Sequence, residues 1–418
     1  GLTNFQVAVL MVSTAKPIPD SALPSIGLVV GILVLSSSVS ISSTDMYSPS
    51  MPDLVRWFDT TPTKVKLTIS LNILAFGLAQ LIHGPLSDRF GRKPVLLVSL
   101  GIVCLLCLAC ASAQTIDQLI VARVLLGVAA AAEAVVGLAI IKDLYSEKQQ
   151  VKALALMGMV IAITPAAAPI LGGYIHVVWG WQANFVVISA MAAVALVFVA
   201  WLLPESTTPD PSALKLSVIS GRYLSLLRNS DFMTHSALLG VTLGLLFVFV
   251  TAAPFVLIDL LGIPPDKFGF YQASIVVAFF LGSVLASRLA DHWEPFKLMS
   301  LGVVTVLVGS IILSIVILGD KMTPYTLAAS FMVMTFGMGP LFAVAPSRAL
   351  RSVKGNAGSA SALLNGIEQT TAGVAAVFIS VFHDGSARPM ALVTMLLALL
   401  LLGLIYRSKL EDRVRMDR

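Results

Sequence analysis

Four ionisable side chains, Asp45, Arg123, Glu133 and Glu368, interrupt stretches of sequence that are otherwise apolar. A charge at the centre of a bilayer costs about 2.5 to 3.5 kcal/mol on insertion scales, so an ionisable group inside a membrane span is a functional candidate. A carboxyl group in such a place can gain and lose a proton, and can also hold a cation. The pattern indicates that protons or cations are handled inside a membrane.

Asp45 and Arg123 are predicted to lie near the outer third of two neighbouring spans, where they would form a proton-responsive pair on a cavity. A static ion pair, or an arginine that extends to the interface, is the alternative. Glu133 follows Arg123 by ten residues, about 15 Å deeper at 1.5 Å per residue, close to the midplane. We expect Glu133 to exchange a proton and to bind a cationic substrate; permanent protonation with a hydrogen bond to a neighbouring helix is the alternative.

Glu368 is accompanied by Asn365 and Gln369 midway along a late apolar stretch. These three side chains are expected to complete a substrate-binding cavity from the second half of the chain, with Glu368 a further proton-coupling candidate. Polar side chains also hold transmembrane helices together by hydrogen bonds, which is an equally good interpretation of this group.

The elements that would position these residues are transmembrane helices. The chain is 57% hydrophobic and 12% charged over 418 residues, which excludes an ordinary soluble domain. Apolar runs long enough to cross a bilayer, about 20 residues each, are separated by Pro, Gly or charge. We predict an all-α membrane protein with twelve spans, at 25–45, 65–86, 94–113, 117–142, 151–175, 182–203, 232–257, 268–290, 297–319, 323–346, 357–382 and 388–407.

The long break at 204–231 divides the spans into two bundles of six. The predicted organisation is an N-terminal arm (1–24), a six-helix bundle (25–203), a linker (204–231), a second bundle (232–407) and a tail (408–418). With both termini in the cytoplasm, 20 of the 27 Lys and Arg residues fall on the cytoplasmic side and 6 outside. This bias predicts the orientation.

Several classes of function leave no trace in the sequence. The net charge of +5 is spread over loops without a basic helix, so nucleic acid is not an expected partner. Cys104, Cys107 and Cys110 have no further ligand nearby, and we expect neither a metal nor a cofactor. Motifs for phosphate binding, zinc hydrolysis and serine hydrolysis are missing from the sequence, so we expect no enzyme and no use of ATP.

Residues 84–93 read Gly-Pro-Leu-Ser-Asp-Arg-Phe-Gly-Arg-Lys and separate the second span from the third. We predict a tight turn at the membrane surface, in which Gly84 and Gly91 allow positive φ. The bases Arg89, Arg92 and Lys93 favour the cytoplasmic side. A positively charged turn with no further role is the alternative.

Every fixed position of this segment matches Gly-x-Leu-x-Asp-Arg-x-Gly-Arg-Lys, so the chain resembles the major facilitator superfamily. The resemblance implies that Asp88 and Arg89 tie the second span to the other half in one conformation. Arg123-x-x-x-Gly127 resembles a second signature of the family, whose arginine is associated with proton coupling. Residues 45–52, Asp-Met-Tyr-Ser-Pro-Ser-Met-Pro, are similar to the Bcr/CflA subfamily of drug:proton antiporters.

The fifth span resembles the glycine-proline signature of the antiporter branch. Ala162 and Thr164 replace two glycines of that signature. Its matching positions are Gly158, Pro165, Pro169, Gly172 and Gly173.

These resemblances imply the major facilitator fold, with two parallel halves. They imply a monomeric transporter in the bacterial inner membrane that exports small organic compounds, drug-like and cationic or amphipathic, in exchange for protons. A metabolite or siderophore exporter, or an uncoupled facilitator, has the same fold. A multi-span receptor or a membrane-embedded enzyme is the alternative from another class.

Overall fold

The chain is described here by a computed structural model covering residues 24–211, 213–214, 216–353 and 357–416. Twelve helical segments in these ranges are long and apolar enough to cross a membrane. The predicted all-α class with twelve spans is therefore confirmed. Residues 1–23, nearly all of the predicted N-terminal arm, lie outside the described ranges.

The first six spans use seven helices. The first span is a long helix followed by a short 3₁₀ turn at 48–50 and a second short helix, because Pro49 and Pro52 each start a new helical segment. The helices are α1 (Ile26–Asp45), α2 (Met51–Trp57), α3 (Pro62–Phe90), α4 (Arg92–Ala111), α5 (Ile116–Leu144), α6 (Glu147–Trp179) and α7 (Trp181–Leu202).

The second half repeats this plan after the linker, which contains a helix of its own. Its helices are α8 (Leu216–Leu227) in the linker, then α9 (Ser230–Pro254), α10 (Pro265–Leu289), α11 (Pro295–Leu318), α12 (Pro324–Arg351), α13 (Ala357–Val381) and α14 (Arg388–Met416). A π-helical turn, Phe255–Leu260, extends α9. The last helix continues past the predicted limit of 407, and an ion pair between Arg407 and Glu411 one turn apart supports the extension.

Helix starts follow the local sequence. The Thr61 hydroxyl accepts from the Lys64 amide, and Pro62 occupies the first helical position, so α3 is capped at its N-terminus. Ser146 and Gln149 form a capping box at the start of α6. These polar caps hold the ends of apolar helices in place at the edges of the bundle.

Each half has its own apolar core, one built mainly from the helices before the linker and one from those after it. The halves meet along two helix pairs, α3 with α13 and α6 with α10. Glycine permits the close approach: a Cβ on Gly77 would lie 2.5 Å from the Thr370 amide nitrogen. The space left between the two pairs forms the site described next.

Candidate functional site

A central cavity of about 190 Å³ lies between the two halves. Its polar lining includes Asp45 and Asn72 from the first half and Gln272 and Gln369 from the second. Apolar side chains make up most of the remaining wall, including Phe76, Leu246, Phe247 and Val250. The site is thus mainly apolar, with one carboxylate and several amides, which is typical of pockets for small organic ligands.

Asp45 is the last residue of α1 and contributes the carboxylate of the cavity. It is buried, with 6% of its surface exposed. The side chain of Gln272, from α10 of the other half, lies within hydrogen-bonding reach of this carboxylate. Asp45 therefore contacts both the cavity and the opposite half.

Arg123 is fully buried, and its contacts are with other groups than Asp45. Its guanidinium donates to the backbone carbonyl oxygens of Ser43 and Thr68, and stacks 5.0 Å from the ring centroid of Tyr47. No ion pair joins it to Asp45 within the described ranges. The predicted pairing of Arg123 with Asp45 is therefore corrected. The Ser43 carbonyl oxygen accepts the hydrogen bond from the guanidinium, while the carboxylate of Asp45, two residues later, faces the cavity. In this conformation Arg123 holds α5 against α1 and α3.

Glu133 lies behind the cavity wall and not on it. It is 1% exposed, the backbone of Ser40 of α1 lies close to its carboxylate, and neither carboxylate oxygen has a well-formed hydrogen bond to the described residues. Ala130, one turn earlier on α5, lines the cavity together with Ser40. Glu133 is therefore buried inside the bundle, but a closed wall separates it from the cavity. The sequence did not indicate this wall.

The three polar residues of α13 do not all line the cavity. Gln369 lines the cavity, whereas Asn365 and Glu368 are half-buried and do not contribute to this lining. Of the four residues predicted to bind substrate, only Gln369 is brought to the cavity in this conformation.

The motif at residues 84–93 is mostly helix, which corrects the predicted turn. Gly84 and Asp88 belong to the last turns of α3, and the chain reverses at Gly91 alone, whose φ is +99°. Positive φ is accessible to glycine at little cost, so Gly91 is the position that requires it. The remaining glycine, Gly84, packs near Val135 as an ordinary helical residue.

Charged side chains hold this helix junction together. Arg92 forms ion pairs with Asp88 and with Asp143 at the end of α5. The Glu205 carboxylate accepts from the backbone amides of Arg92 and Lys93, at 2.9 and 3.1 Å. Glu205 thus satisfies the first amides of α4 and places a negative charge at the positive end of its dipole.

Other members of the motif have separate contacts. The Lys93 ammonium donates to the Ala200 carbonyl oxygen of α7 at 2.8 Å, and Arg89 lies over the ring of Phe90. The backbone carbonyl of Asp88 accepts from the Asp210 amide in the linker at 2.9 Å. The motif is therefore joined to α7 and to the linker that leads to the second half.

The glycine-proline stretch of α6 forms part of the contact between halves. Pro165 lines the cavity, and Pro169 packs against Gly269 of α10. Gly172 packs on the Met46 carbonyl oxygen and Gly173 on that of Pro265, where any side chain would collide. Gly158 has open space around its Cα.

Several residues of the site were not identified from sequence. Asn72 donates to the Arg123 carbonyl oxygen at 2.7 Å and lines the cavity, and Gln272 meets Asp45. For both residues, the sequence signal that could have identified them is an amide side chain inside an apolar span. Asp143 lies at the end of α5, and Glu205 lies just after α7. Only the folded structure brings these two carboxylates to Arg92.

Comparisons with known proteins agree with this architecture. The bicyclomycin resistance protein homolog of Haemophilus influenzae is 27% identical over 366 residues, covering 87% of this chain and 90% of that protein. Multidrug resistance protein D of Escherichia coli is 26% identical over 370 residues, covering 88% and 93%. A solved structure of a bacterial homolog of the human lysosomal transporter Spinster, inward-facing and unoccupied, is 14% identical with a TM-score of 0.73 over 93% of this chain and 98% of that one.

The sequence model of the Major Facilitator Superfamily matches residues 33–377, which is most of the chain. The solved structure supports the fold independently of sequence identity. The family predicted from residues 84–93 is therefore confirmed: this chain belongs to the Major Facilitator Superfamily.

Proposed function

We propose that the protein exports small, drug-like organic compounds in exchange for protons, by alternating access of the central cavity. The observation that carries the proposal is a cavity between the halves with one carboxylate, Asp45, on its surface and a second, Glu133, behind its wall. The names of the two relatives, a bicyclomycin resistance homolog and a multidrug resistance protein, support drug-like compounds over a metabolite or siderophore.

The cavity suits an amphipathic cation. Phe76, Leu246 and Phe247 offer apolar contact for the body of such a compound. Asp45 offers a negative charge for its cationic group, and Gln272 a neighbouring amide. We assign Asp45 the role of cation contact, because it is the carboxylate that lines the cavity.

Glu133 is assigned the role of proton carrier. An ionised carboxylate that is buried without a well-formed hydrogen bond is strongly disfavoured in a protein interior. The conformation described here therefore suits the neutral acid, whereas a conformation that opened the wall at Ser40 and Ala130 would let the proton leave. Proton binding and conformation are then linked, since a proton that prefers one conformation shifts the population toward it.

Orientation follows from the charge bias. With the end of the bundle that contains Gly91 in the cytoplasm, 20 of 27 Lys and Arg residues lie on that side. We infer a monomer in the bacterial inner membrane with both termini cytoplasmic. The opposite end, which we call the distal end, would then face the acid side of the proton gradient.

The test is transport by the purified protein in liposomes. An imposed pH gradient should drive accumulation of tetraphenylphosphonium, a lipophilic cation, into the acidic compartment, and collapse of the gradient should release it. Asp117→Asn, which alters an exposed carboxylate paired with Lys64, serves as a matched control. Failure to move any solute under gradients of either sign would overturn the proposal and favour a receptor or a membrane-embedded enzyme.

A further inference from the structure

A second cavity, also of about 190 Å³, lies at the distal end, where the halves meet. The start of α3 contributes Lys66 from the first half, and the second half contributes the π-helical turn and residues 383–390. Its polar lining residues are Lys66, Asp259, His383 and Ser386. Neither Lys66 nor His383 has a role in the mechanism proposed above.

Lys66 is a buried cation whose hydrogen-bond partner is another basic side chain. It is 3% exposed, and its Nζ lies 2.9 Å from Nδ1 of His383. The ammonium also lies 5.0 Å from the ring centroid of Phe255, and the His383 ring is 6.3 Å from the same centroid. The three side chains therefore form one cluster that crosses the boundary between the halves.

The charge of Lys66 determines which state of His383 fits this contact. When Lys66 is an ammonium it has three donors and no acceptor, so Nδ1 of His383 accepts and the ring is neutral, with its proton on Nε2. If the ring gains a second proton, Nδ1 becomes a donor and the hydrogen bond is lost. Two cations would then face each other across the boundary at 2.9 Å.

Nearby carboxylates do not remove the repulsion between these two cations. Asp384, on the same loop, is exposed and accepts from the Ser386 amide and hydroxyl at 2.9 and 2.8 Å. Asp259, on the π-helical turn, also faces Arg56 and Asp53 of α2. Helix α14 contributes Pro389 and Met390 to the lining, and neither is charged.

We propose that Lys66 and His383 form a pH-sensitive latch, which holds the halves together at the distal end and releases when His383 binds a proton. The contacts that form the latch do not depend on the proposed function. Only its role in transport rests on that function. If the distal end faces the acid side of the gradient, release opens the transporter toward the source of protons.

The direction of the pH effect follows from the closed state. Burial, and then the Lys66 ammonium, lower the pKa of His383 below its usual range, while Asp384 opposes the shift. A lowered pKa means that the closed end is favoured above the ordinary histidine value of about 6.5 and is weakened as the pH falls below it. The ratio of closed to open molecules should fall by up to about tenfold per pH unit in that window.

Distance measurements by electron spin resonance would test the latch. Spin labels at Gln114→Cys and Tyr325→Cys report on the distal end from opposite halves, in a background whose three native cysteines are replaced. Wild type should be mainly closed at pH 8 and gain an open population at pH 5.5. His383→Gln, which accepts a hydrogen bond but does not titrate, should stay closed at both values.

Two further variants sharpen the test. His383→Lys imitates the protonated ring and should open the distal end at pH 8, and Lys66→Met should remove the contribution of His383 to the pH response. The same pH shift in wild type and His383→Gln would overturn the latch. Because the readout needs neither substrate nor transport, its failure is distinct from a failure of proton-driven export.

Discussion

Replacing Asp45 by Asn should weaken the binding of a lipophilic cation far more than the binding of a neutral compound. Asp45 lines the central cavity and is 6% exposed, so water screens its charge poorly. The substitution keeps the size of the side chain and removes the charge. It therefore isolates the electrostatic part of recognition.

The expected magnitude follows from the contact that is lost. Tetraphenylphosphonium has no hydrogen-bond donor, so the interaction that is lost is the attraction between two charges. At an effective dielectric constant of about 20 and a separation of about 6 Å this attraction is worth about 3 kcal/mol, which corresponds to roughly a 100-fold increase in Kd at about 1.4 kcal/mol per tenfold. For a neutral ligand, the Asn amide still offers an acceptor and can still pair with Gln272. We expect its Kd to change less than about threefold, within the range of a weak hydrogen bond.

The assay is equilibrium binding of radiolabelled tetraphenylphosphonium and of neutral chloramphenicol to detergent-solubilised protein at pH 8. Asp117→Asn is again the matched control, because its carboxylate is exposed and far from the cavity lining. An equal loss for both ligands in Asp45→Asn would mean that the site is disturbed as a whole. An unchanged cation affinity would show that Asp45 does not contact the cation.

Three further substitutions test the remaining assignments. Glu133→Gln should abolish proton-driven accumulation of the cation and flatten the pH dependence of its binding; accumulation with wild-type pH dependence would make Glu133 structural. Asp88→Asn removes a partner of Arg92 and should impair transport in liposomes without reducing membrane insertion, so full activity would refute a role in the cycle. Gly91→Ala places a Cβ 2.6 Å from Oε2 of Glu205 at a φ of +99°. It should lower the free energy of unfolding by about 1 to 2 kcal/mol or more. An unchanged Tm in detergent would contradict this strain.

The spans were predictable because a bilayer imposes a simple requirement on sequence. About 20 apolar residues are needed to cross, and helix α10 illustrates the result, predicted at 268–290 and found at Pro265–Leu289. The family motif was equally visible, since the spacing within residues 84–93 requires no knowledge of the fold. Its helical conformation was not, because Gly84 and Pro85 are commonly read as a turn and the packing of α3 overrides that preference.

The contents of the cavity were only partly predictable. Depth along a helix can be counted from sequence, which explains the buried position found for Glu133. The direction in which a side chain faces depends on how the halves pack, so Gln272 and Asn72 were missed and the pairing of Asp45 with Arg123 was wrong. Lys66 was missed for the same reason, because its partner His383 is 317 residues away.

The cap that Glu205 provides has a consequence for biosynthesis. The amides of Arg92 and Lys93 meet their acceptor 113 and 112 residues later in the chain. At about 5 to 20 residues per second, a ribosome needs about 6 to 23 s to deliver it. During that interval the start of α4 remains uncapped, and the first six spans acquire their final junction only when α7 has been inserted. A nascent chain that stops at residue 203 should therefore carry a frayed α4, whereas one that extends a few residues further should not.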